Sequence, residues 1–175
     1  MQSHSTPVII SNYSQRPKFY NRSQAKVFAE THYNMGYELY KSILPKLSEG
    51  KTEDSWKLWP AFINISFSCE IILKLFYEED IGNIAHGHKL STDIYSKLKD
   101  DTKKLISDET ITCMITNGSK DYNYTNFNDD LIKSENTFAY ERYSFEMIPG
   151  NSHSLECSFL LSFAKTLLTL SSKLL

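Results

Sequence analysis

Apolar residues along this chain recur at three-and-four spacing over long stretches, and almost nowhere at alternate positions. In the first stretch Ala25, Phe28, Ala29, His32, Met35, Gly36, Leu39, Ile43 and Leu47 share one face, with Ser23 placed as an N-cap. This predicts a helix from residue 23 to about residue 47, with Pro45 kinking or shortening its last turn. A polar link containing Gly50 follows. The second stretch predicts a helix over residues 56–79, with Pro60 tolerated in its early turns. Ile63, Ser66, Glu70, Lys74 and Tyr77 form one stripe on it, and its other faces are nearly all apolar. That pattern marks a central, buried helix.

Further on, Ser91 or Thr92 can cap a helix reaching residue 99, and a short helix is expected over 108–116, stopped by Asn117-Gly118. The stretch SKDYNYTNFNDD reads as a loop, and the pattern beyond it as a helix over 127–147, ended by Pro149-Gly150. A last helix over 152–175 repeats Leu160, Phe163, Leu167, Leu170 and Leu174, a stripe that suits bundle packing, a dimer seam or both. With no strand or hairpin signal, the expected fold is an all-α, up-and-down bundle of four or five helices. Residues 1–22 read as an arm, made locally basic by Arg16, Lys18 and Arg22, and residues 23–175 as one domain.

Composition adds exclusions. A net charge of -2 gives no bulk attraction to nucleic acid or anionic membrane. Cys69, Cys113 and Cys157 are far apart without CxxC spacing, which points to free thiols in a reducing compartment. The first twenty residues lack the pattern of a signal peptide, and no membrane span is expected, so a cytoplasmic location is. Phosphate-loop, dinucleotide and HExxH motifs are absent, and neither a metal nor a cofactor is expected.

The chemistry lies in polar residues set among apolar ones. Glu70 and Lys74 are four apart, in the favourable Glu-to-Lys order, inside the most apolar stretch of the chain. Buried charges of this kind need partners. Arg142 and Glu146 are also four apart, beside Tyr143, so that Glu70, Lys74, Arg142 and Glu146 could form a charge-balanced network. Such a network serves first as an internal brace, and alternatively as a phosphate site with Arg142 as its planar fork. His86 and His88 flank Gly87 without a third ligand type, a weak metal pattern. His32 and the tyrosines of the first helix read as packing residues.

The order of these motifs resembles the HEPN superfamily, the helical nucleotide- and RNA-binding domains of prokaryotic toxin–antitoxin and phage-defence systems. Ser68-x-Glu70-x-x-x-Lys74 precedes Gly87-His88-x-Leu90, and Phe138-x-x-x-Arg142-Tyr143-x-x-Glu146 follows. The resemblance spans residues 23–172. It implies a helical bundle that pairs as a homodimer. In active members two copies of Arg-x4–6-His meet and cleave RNA without a metal. Here Glu146 stands four residues after Arg142, and the next histidine is His153, beyond Pro149-Gly150. The resemblance therefore implies a non-catalytic dimeric module that binds nucleotide, RNA or a protein partner. Its alternative is a metal-independent endoribonuclease in which His88 or His153 works with Arg142. The binding or network residues it implies are Glu70, Lys74, His88, Arg142, Tyr143 and Glu146.

Overall fold

The structure, a computed structural model, describes residues 21–50, 55, 57–135 and 157–175. All regular structure among them is helical: α1 (Arg22–Ser48), α2 (Leu58–Ile81), α3 (Asp100–Thr116), α4 (Tyr124–Lys133) and α5 (Cys157–Leu174). A π-helical turn (Leu90–Ile94) and a 3₁₀ turn (Tyr95–Lys97) join α2 to α3. The all-α bundle is thus as the periodicity predicts. The arm up to residue 20, and with it Arg16 and Lys18, lies outside the described residues.

α2 is the centre of the fold. Twelve of its 24 residues are buried, on more than one side, as the near-continuous apolar sequence requires. By length and composition it could cross a bilayer, but in this fold it is a core helix, and Glu70 and Glu78 are buried along it. Gly82 ends it in the left-handed conformation, at φ 73°, with its N–H on the Glu78 carbonyl.

α1 runs antiparallel along α2. Arg22 pairs with Glu78 and Glu79 at 3.1 and 2.8 Å, His32 reaches Asn64 in mid-helix, and Tyr40 packs on Phe62. Small residues set the separation: a Cβ on Gly36 would stand 2.6 Å from the Ala61 carbonyl oxygen. Asn21 caps α1, two residues earlier than Ser23, its side chain accepting from the Gln24 N–H. Pro45 neither ends nor shortens the helix, which continues to Ser48.

On the other side α5 packs against α2, α1 and α3. Phe159 and Phe163 stack at 5.3 Å, and Phe127 of α4 meets both edge-on. Leu160, Leu167 and Leu170 are buried as the repeat predicts, whereas Leu174 is exposed.

Three local expectations are corrected. α3 begins at Asp100, a full two turns before residue 108, with Asp100 and Asp101 in its first turn, where acids oppose the helix dipole. Asp80, at the end of α2, accepts from the Lys99 N–H and the Thr102 hydroxyl, and so supplies the cap that Lys99 lacks. The residues from 91 to 99 do not form one capped α-helix but the π and 3₁₀ turns, with the Thr92 N–H taken by the Glu135 carboxylate and the Lys99 N–H by that of Asp80. α4 starts inside the stretch read as loop, where Asn123 and Asn126 form a reciprocal capping box, and it stops at Lys133 with a turn at Ser134 and Glu135. A single helix over 127–147 is therefore not formed. The Asn117-Gly118 stop is as expected: Gly118 has φ 109°, and the Ser119 N–H returns to the Met114 carbonyl.

Candidate functional site

α2 and the loop after it meet at one buried oxygen. Glu70 is 2% exposed, and its Oε1 accepts from Lys74 Nζ and from His88 Nδ1, each at 2.8 Å. The Lys74 contact follows from helical spacing alone. The His88 contact is tertiary, closing eighteen residues of chain. An ionised carboxylate only accepts, so Nδ1 carries the proton in this contact and Nε2 is the other, distinct nitrogen. The His88 side chain is 66% exposed and Lys74 17%, so the buried carboxylate has one largely covered partner and one that faces solvent. Glu70 Oε2 is buried and has no hydrogen-bond donor among the described residues.

The loop that presents His88 is built for the task. Gly87 has φ 92°, a left-handed value, and a Cβ there would collide with the Asp93 carboxyl group. That carboxyl lies against Gly87 because Oδ2 accepts from the His88 and Lys89 N–H groups, both at 3.1 Å. The N–H of Lys89, then that of His88, hold the Asp93 carboxyl below its usual range. Leu90 then turns into the core at 1% exposure. In the Gly87-His88-x-Leu90 motif the glycine permits the turn, the histidine reaches Glu70, and the leucine anchors.

Glu135 completes the pinning from the turn after α4. Its carboxylate accepts from the Thr92 N–H at 3.2 Å and from the Thr92 hydroxyl at 2.8 Å, and it pairs with Lys89 at 3.4 Å. Its backbone carbonyl accepts from the Leu90 N–H at 3.4 Å. Neither Asp93 nor Glu135 was among the expected site residues. Asp93 carried a signal, an acid a few residues beyond a glycine-bounded turn; Glu135 carried none, because its partners lie 43 residues away in sequence.

The other expected site residues distribute as follows. Glu70, Lys74 and His88 come together; Arg142, Tyr143, Glu146 and His153 lie outside the described residues. His32 is half-buried, bonded to Asn64 at 2.8 Å and edge-on to Phe67, as a packing residue would be. Tyr33 stacks on Tyr37, and burial raises its hydroxyl above the ordinary range. Cys69 is wholly buried, which pushes its thiol up and makes it a poor nucleophile. No group of three or more metal-ligating side chains occurs among the described residues.

No protein-family model, curated protein or solved structure matches this chain.

Proposed function

We propose that this chain is a HEPN-like, non-catalytic, dimeric binding module of the cytoplasm, acting in a prokaryotic toxin–antitoxin or phage-defence system. Its ligand is a nucleotide, an RNA or a protein partner. One observation carries the reading. Two parts of the three-part motif, Glu70-x-x-x-Lys74 and Gly87-His88-x-Leu90, are separate in sequence yet share Glu70 Oε1. Motifs that matched by chance in apolar helices would have no reason to meet there. One oxygen of the carboxylate is occupied by Lys74 and His88, which suits a brace that shapes a binding face, and Met147, Ile148 and Pro149 stand at the three positions where Arg-x4–6-His would put the catalytic histidine.

The second reading, a metal-independent endoribonuclease, is favoured by the same contact seen from His88. Glu70 orients the ring through Nδ1 while most of the side chain faces solvent, an arrangement that suits proton transfer at Nε2. RNA incubated in EDTA with the wild type, Arg142→Ala and His88→Ala separates the two. The binding module predicts no cleavage by any of them, with RNA, nucleotide or a protein co-purifying from the native host. Cleavage that is lost in both variants would replace the first reading by the second.

A further inference from the structure

Between α3 and α5 lies a hollow of about 180 Å³. Glu109, Thr112 and Cys113 line it from α3, and Lys165, Thr166 and Thr169 from α5. Helical spacing places each set on one side of its helix. Thr112 and Thr169 return their hydroxyls to the carbonyls of Asp108 and Lys165, at 2.8 and 2.9 Å. Thr166 does not. It is 7% exposed, and its hydroxyl has no hydrogen-bond partner among the described residues. A covered hydroxyl beside a hollow, bonded to nothing in its own chain, is suited to a ligand. Glu109 and Lys165 are exposed on the two walls, and neither forms an ion pair among the described residues. Between them Cys113 is half-buried, its sulfur accepting at 3.6 Å from the Asn117 side-chain amide, which also donates to Ser162 of α5.

We propose that Cys113 is a site of reversible S-thiolation, and that the hollow seats a small zwitterionic disulfide of the glutathione type. The site is separate from the Glu70 cluster and independent of the binding reading above. The thiols of the chain are not equivalent. Cys69 is wholly buried, and burial pushes its thiol up, whereas Cys113 opens onto the hollow. The walls match the reagent. Lys165 can take a carboxylate, Glu109 an ammonium group, and the Thr166 hydroxyl a peptide group. An uncharged oxidant would use none of the three. In the exchange the Cys113 thiolate attacks one sulfur of the disulfide. The new S–S bond forms as the old one breaks, and the departing thiolate takes up the proton that Cys113 gave away. Cys113 is oxidised, the departing half is reduced, and excess reduced thiol reverses the step.

The test is the rate of adduct formation on the reduced full chain, followed by intact mass and peptide mapping. Two probes are used, glutathione disulfide and the neutral bis(2-hydroxyethyl) disulfide. The proteins are wild type, Cys113→Ser, Lys165→Gln and Glu109→Gln; both charged positions are exposed, so circular dichroism should match the wild type. Glutathione disulfide should label Cys113 first, reversibly with excess reduced glutathione, and Cys113→Ser should lose that adduct. Lys165→Gln and Glu109→Gln should each slow this reaction, Lys165→Gln by roughly tenfold, and leave the neutral probe unchanged. The shared sign is decisive. Simple attraction of an anionic reagent predicts that removing the Glu109 charge speeds the reaction. A faster Glu109→Gln, or rates that neither variant changes, would reduce Cys113 to an accessible thiol and overturn the seat. Labelling that begins at Cys157 or Cys69 would overturn the site itself.

Discussion

The buried carboxylate of Glu70 is held by two donors of unequal exposure, Lys74 and His88. Lys74→Met leaves a carboxylate at 3% side-chain exposure with His88 as its one remaining partner among the described residues, and should cost about 3 kcal/mol. Glu70→Leu leaves a lysine that can turn to water and should cost less, about 1–2 kcal/mol. In urea unfolding, the double variant should therefore be more stable than the sum of the single losses predicts; strict additivity would mean that the contact contributes nothing. Gly87→Ala combines a left-handed φ with a collision against the Asp93 carboxyl, and should lose about 2 kcal/mol or more in the same measurement. Because the Asp93 carboxyl titrates low in the fold, its contribution is fully present above the unfolded value near pH ~4 and is lost as pH falls through the folded one. Protection of the His88 and Lys89 amides, taken relative to their intrinsic exchange rates at each pH, should accordingly be unchanged from neutral pH to about pH 4 and fall below it. The Glu70–Lys74 pair is legible in sequence because local spacing fixes it. The His88 contact and the Glu135 cap are not, since long-range closure leaves no local mark.

At the scale of elements, sequence reads apolar faces well and helix ends poorly. α1, α2 and α5 are long and periodic; the core positions of α2 and most of those of α5 are where the pattern puts them, whereas on α1 Ala29, Gly36 and Ile43 are buried but Phe28 and Met35, expected on the same face, are exposed. α3 and α4 are mostly polar, so their signals lie in caps: Asp100 and Asp101 at one start, Asn123 with Asn126 at the other. Asparagine-rich sequence also describes a loop, and that competing pattern hides α4. The turn at 90–97 is tied from outside by Glu135, which takes the Thr92 and Leu90 N–H groups, a tertiary effect that no propensity records. Glu135→Ala should thus cost about 1–2 kcal/mol by leaving Thr92 without its acceptor, and should deprotect the Thr92 amide in hydrogen exchange. Gly36 tests the contact of α1 with α2 directly. Alanine is the better helix former by about 1 kcal/mol, so an isolated α1 would gain from Gly36→Ala. In the fold the new methyl meets a backbone carbonyl at 2.6 Å, which cannot give way as a flexible side chain would. The substitution should therefore destabilise the protein by about 1–3 kcal/mol, opposite in sign to propensity.

In the whole molecule these contacts converge on α2, which joins α1, α5 and the His88 turn through one continuous core. A core organised around one helix has no second unit to unfold separately. Far-ultraviolet dichroism and tyrosine fluorescence should therefore report one coincident urea transition for the residues described. Ile72 and Leu73 are fully buried near the middle of α2. Truncating either to alanine removes side-chain contacts and leaves a cavity that packed helices on two sides cannot close, at a cost of about 2–4 kcal/mol. Against a typical total of about 5–15 kcal/mol, that single change removes a large share of the stability. It should do so by lowering the midpoint at constant slope, since the surface exposed on unfolding is unchanged. Two separated transitions in Leu73→Ala would instead show that α3, α4 and α5 hold together without α2. The Glu70 site would then be a brace between two folding units, rather than a charge buried inside one.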